Sequence, residues 1–103
     1  MNYQDFMEYM QENLTSYPFF MEKAKNFQLE KNKARASKAK WNEAKVERAT
    51  SLMWTQAMDT LYGQLKTQIG IPAINGTQKW IAFIEENEVI ENVNEGLSEV
   101  EFE

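Results

Sequence analysis

The chain has 103 residues, 43% of them hydrophobic, with six Phe, three Trp and four Tyr to fill a core, so it is predicted to be a single domain rather than a disordered segment. It contains no cysteine and no histidine, which excludes disulfides, thiol chemistry, the common zinc sites and the usual nucleophile–base pairings. The net charge of −5 hides a segregation: nine Lys/Arg against three Glu between Lys23 and Arg48, then eight Glu and no base between Glu85 and Glu103.

In chain order, Asn2 can cap a first helix over residues 3–13, with Asp5 in its first turn and Phe6, Met10 and Leu14 at helical spacing. Ser16 is the predicted cap of a second helix starting near Pro18, where a missing N–H costs nothing. From Phe19 to Tyr62 there is no Pro or Gly. One helix of roughly 50 residues would be about 75 Å long, too long for a domain of this size, so a break or a protruding rod is expected. The break is expected between Glu30 and Lys45, where only alanines and Trp41 are apolar. Val46, Ala49, Met53, Trp54, Ala57, Met58, Leu61, Leu65 and Ile69 then form a wide apolar stripe predicted to be packed.

Gly70, Ile71 and Pro72 end that helix, Asn75 and Gly76 read as a turn, and Thr77 as the cap of a helix over 78–87 with Trp80, Ile81 and Ile84 inward. Beyond it, Val89, Ile90 and Val93, then Asn94 to Gly96, then Leu97, Val100 and Phe102 read as two short strands joined by a turn, although helical spacing fits part of the stretch equally well. The fold class predicted is therefore mainly α: one domain, 1–103, with one long or broken central helix and a short C-terminal helix. Residues 1–84 form its helical part, and the acidic segment 85–103 is read as a β-hairpin.

The first twelve residues lack the basic start and apolar run of a signal peptide. The longest apolar run is the five residues Trp80 to Ile84, far short of the roughly 18 to 20 that cross a bilayer. A cytoplasmic protein without a membrane span is expected. Ser16, Ser37, Ser51 and Ser98 have no histidine to activate them, the carboxylate pairs Glu85/Glu86 and Glu99/Glu101 lack an apolar cleft, and the four glycines form no phosphate-cradling loop. No enzyme, no metal and no cofactor is therefore expected.

Three features remain to carry function. In the basic arm, if it is helical, Lys31, Arg35, Lys38 and Lys45 share a face with Asn42, with Trp41 beside it and Arg48 beyond, an arrangement suited to phosphate contact and stacking. A solvated Ala/Lys helix explains the same composition, because Lys33 and Lys40 lie on the opposite side. In the acidic end, Glu85, Glu86, Glu88, Glu91, Glu95, Glu99 and Glu101 are interleaved with apolar residues, so the segment can order. It then reads as a solubilising surface, as a brake folded on the protein's own basic arm, or as a mimic of the nucleic-acid backbone. The aromatic and Met residues of the first 21 positions read mainly as core, with a surplus of two or three able to make a docking patch or a homodimer contact.

The residues spell out no family motif. Small, cysteine-free acidic chains of this type are common among phage and mobile-element accessory proteins, inhibitors of host defence among them. The leading expectation is a non-enzymatic protein-binding module, an inhibitor whose acidic segment fills the nucleic-acid-binding groove of a partner protein. The alternatives are a nucleic-acid-binding protein using a basic helix 31–48 and a helical homo-oligomeric assembly protein.

Overall fold

The computed structural model describes residues 1–70, 76–100 and 102. Among them five helices follow one another, α1 (Tyr3–Asn13), α2 (Tyr17–Lys33), α3 (Glu43–Ile69), α4 (Gly76–Glu86) and α5 (Val89–Glu99), with a 3₁₀ turn at Ser37–Ala39 and no strand. The mainly α class and the long central helix are as expected.

Local chemistry sets most boundaries. Asn2 Oδ1 accepts the Asp5 N–H at 2.7 Å and so starts α1, which buries Phe6 and Met10 completely. Pro18 occupies the first turn of α2. At the cap position of α2 Ser16 departs from expectation: its side chain makes no capping bond and instead donates, with its own N–H, to Asn94 Oδ1 at 2.6 and 3.0 Å. Asn42 Oδ1 caps α3 by accepting the Lys45 N–H at 2.9 Å. The helix ends at Gly70, whose φ of 75° lies in the region that favours glycine. Ile71, Pro72 and Asn75 lie outside the described residues, while Gly76 and Thr77 sit in the first turn of α4, so Thr77 is not its cap.

Two expectations are corrected. The first is the hairpin, since Val89 to Glu99 is helix. Val89, Val93, Leu97 and Val100 recur at helical spacing and all pack against the core, and that burial outweighs both the strand preference of Val and Ile and the turn-like Asn94 to Gly96. The two-residue connection from α4 is closed by Glu88 in the left-handed conformation, φ 53°. The second is the alternative that uses a basic helix 31–48: the break expected between Glu30 and Lys45 falls at residues 34–42, so these residues do not share one helix. That stretch offers a helix nothing apolar to bury except Trp41, whose main chain is taken by Asn32: Trp41 N–H donates to Asn32 Oδ1 at 2.8 Å, and Asn32 Nδ2 donates to Trp41 O at 3.1 Å.

The break folds α2 and α3 into an antiparallel hairpin. Gln28 faces Met53, and Phe20 and Tyr17 meet the Trp54 ring edge-on at 5.4 and 4.7 Å. The Trp54 N–H is buried without an acceptor among the described residues, a local cost of about 1–3 kcal/mol that ring packing offsets. The C-terminal half of α3 receives α1 and α4: Tyr62 packs on Phe6 at 5.0 Å and stacks on Trp80 at 5.1 Å, over a floor of Met58, Leu65 and Ile84. α5 closes the base against α2 and α4. The core thus lies at one end of a body 55 × 23 × 20 Å, and the hairpin tip, residues 34–42, projects from the other.

Candidate functional site

The acidic surface is built on α5. Its apolar stripe faces α2 and α4, which leaves Glu88, Glu91, Glu95 and Glu99, spaced by three, four and four residues, on the opposite, solvent side. Glu85 and Glu86 in the last turn of α4 are exposed beside them. Tyr9 of α1 reports how close these groups come. Burial pushes its hydroxyl above the ordinary tyrosine range, and the carboxylates of Glu85 and Glu91 push it the same way, so α4 and α5 direct charge at one spot. Two further contacts pin α5. Asn94 holds the buried Ser16, and Lys23 of α2 donates to the Ser98 and Val100 carbonyls at 3.0 and 3.3 Å, where a cation meets the negative helix end. Glu101 lies outside the described residues.

The basic surface is the hairpin tip. Arg35 stands 3.7 Å from the Trp41 ring centroid and donates from Nη1 to Asn32 Oδ1 at 3.2 Å, while Lys45 Nζ stands 5.1 Å from the same ring. Asn32 therefore holds both the loop main chain and the guanidinium. Lys31 leans on Phe27, 5.0 Å from its ring, while Lys38 on the 3₁₀ turn, Lys40 and Arg48 are exposed. Among the described residues Lys33–Glu30 is the one ion pair, at 3.2 Å and with both side chains about three-quarters exposed. No carboxylate of α4 or α5 pairs with the tip.

The chain matches no known protein family, no curated protein and no solved structure. Its two charged surfaces are therefore read from their own chemistry. Of the predicted basic residues, the structure brings Arg35, Trp41 and Lys45 together and places Lys31, Lys38 and Arg48 apart from that cluster, not along one helix face. Of the predicted acidic ones, Glu85, Glu86, Glu88, Glu91, Glu95 and Glu99 all lie exposed on α4, α5 and their junction. Asn32 and Asn94 escape a sequence reading as organisers, although Asn94 is visible as a polar residue breaking into an apolar stripe. Asn32 carries no such signal, because its pairing with Trp41 exists only once the loop is formed. Most N-terminal aromatics go to the core; the surplus is Phe19, 66% exposed, and Tyr3, 38% exposed, whose hydroxyl donates to Asp59. No group of three or more His, Cys, Asp or Glu able to hold a metal occurs among the described residues, and no helix there is long and apolar enough to cross a membrane.

Proposed function

We propose that the protein is a non-enzymatic binding module, an inhibitor that lays the carboxylates of α4 and α5 in a basic, nucleic-acid-binding groove of a partner protein. The observation that carries this is the packing of α5: with its apolar side in the core, its glutamates are held out as a fixed array instead of a mobile acidic tail. Such a groove draws much of its affinity from phosphate charge. From Glu88 to Glu99 the α5 carboxylates follow one another about every 5–6 Å along the axis, within a factor of two of the 3.4 Å per phosphate of one DNA strand. Little backbone ordering entropy remains to be lost on binding.

The test compares the chain with a Glu91→Lys, Glu95→Lys, Glu99→Lys variant. A protein captured by the wild type is purified and loaded with labelled duplex DNA, and release of the duplex is followed by anisotropy. The wild type is expected to displace the duplex, and the folded triple variant to leave it bound. Equal displacement by both, or a captured protein with no affinity for nucleic acid, overturns the reading.

A further inference from the structure

The hairpin tip has a second chemistry that the acidic face does not use. Between Lys31 and Arg48 there are seven Lys/Arg and two Glu. Two of the cations, Arg35 and Lys45, are positioned over the Trp41 ring, and Arg35 is also held by Asn32. A cation placed by an aromatic face and a carboxamide keeps its full charge for an incoming anion, unlike one placed by a carboxylate. The clamp also removes rotamer freedom that binding would otherwise cost.

Outside the Lys33–Glu30 pair, the acidic face does not cancel this charge. The described end of α5 docks at Lys23, ten residues before Lys33 on α2. Ten helical residues span about 15 Å, some two Debye lengths at physiological salt. An anion approaching the tip is therefore largely screened from the carboxylates of α5, despite the net charge of −5.

We infer that the tip binds single-stranded nucleic acid, with Arg35, Lys38, Lys40 and Lys45 meeting phosphates and the exposed part of Trp41 meeting a base. The choice of single strand follows from the break at 34–42. A continuous basic helix would suit the major groove of a duplex, but the structure offers a loop with one half-buried indole. An unpaired base can lay its open face on the stacked Arg35–Trp41 pair, and a paired one cannot.

The experiment is fluorescence anisotropy of the whole chain with labelled dT20 and a 20-bp duplex, together with quenching of tryptophan emission; Trp54 and Trp80 are buried, so quenching by DNA reports on Trp41. If four phosphates are contacted, raising salt from 50 to 200 mM should weaken dT20 binding on the order of 50-fold. Arg35→Glu with Lys45→Glu should weaken it at least about tenfold. Trp41→Ala should weaken dT20 binding more than it weakens the weaker duplex binding. Lys38→Glu with Lys40→Glu, at exposed positions, repeats the charge test without touching the clamp. The inference is overturned by no binding at 50 mM salt, by a duplex bound more tightly than dT20, by charge variants that bind like the wild type, or by polyglutamate displacing dT20 at equal charge, which would point to an acidic protein instead.

Discussion

At the base of the molecule α5 turns Val89, Val93 and Leu97 inward and so carries its glutamates outward, whereas at the tip no apolar side exists and the cations are arranged around one indole and one carboxamide. Both surfaces are ordered, by different means. The base borrows its order from the core: the backbone positions of its glutamates cannot move unless a helix undocks. The tip generates its order locally, through Asn32, and contributes almost nothing to the core in return. A charged surface of the first kind should be as stable as the whole domain. One of the second kind should open on its own.

The largest expected effect tests that difference directly. Phe6 is wholly buried against the rings of Tyr62 and Trp80, so Phe6→Ala should cost about 3–5 kcal/mol. Trp41→Ala, at a half-buried loop position, should cost about 1 kcal/mol. Urea denaturation followed by circular dichroism measures both. Amide exchange should show residues 34–42 opening in the Trp41 variant while α1, α3 and α4 stay protected. Similar costs for the two substitutions would place the tip inside the cooperative unit and remove the contrast.

The asymmetry between these regions also decided what could be read from the chain beforehand. Helix α1 was legible because every signal agreed: Asn2 as cap, Asp5 in the first turn, Phe6 and Met10 on the buried side. The break before α3 is legible too, from the loss of apolar positions between Glu30 and Lys45, whereas Asn42 reads as part of the basic face and not as the cap it makes. Residues 89–99 were misread because β-branched residues and an Asn–Glu–Gly sequence argue locally for a hairpin, while the docking that overrides them, Asn94 onto Ser16 and the Val/Leu stripe onto α2, is a tertiary event. The basic residues were correctly noticed but wrongly arranged. Helical spacing groups Lys31, Arg35, Lys38 and Lys45 on one face, whereas the loop keeps Arg35 and Lys45 around Trp41 and leaves Lys31 and Lys38 outside that cluster. Sequence spacing places side chains only where the element is continuous.

A smaller effect probes how the acidic face is fastened. Ser16 is 6% exposed, and both its N–H and its hydroxyl donate to Asn94 Oδ1. Asn94→Ala leaves two buried donors without that acceptor and should cost about 1–3 kcal/mol. If α5 is as stable as the whole domain, amide protection should fall to the same extent in α5 and in α3. A larger fall in α5 would show that the helix undocks on its own and that the base is less uniform than its packing suggests.

The smallest effect gauges the field of the acidic face itself. Tyr9 has its hydroxyl held above the ordinary range first by burial and then by Glu85 and Glu91. Tyr3 is raised by its bond to Asp59, so Tyr3→Phe removes the overlapping signal. A raised acid keeps its proton longer in the folded chain than in the unfolded one. Its contribution to stability is therefore complete below the unfolded tyrosine pKa, near 10, and is lost as pH rises through the folded value. In the Tyr3→Phe background, ultraviolet titration of phenolate should show a late-titrating component that Tyr9→Phe removes, and Glu85→Gln with Glu91→Gln should move it downward without returning it fully, since burial remains. No movement would mean that α4 and α5 do not converge on Tyr9, and the carboxylates would then be scattered charges on a helical surface rather than a shared face for a basic groove.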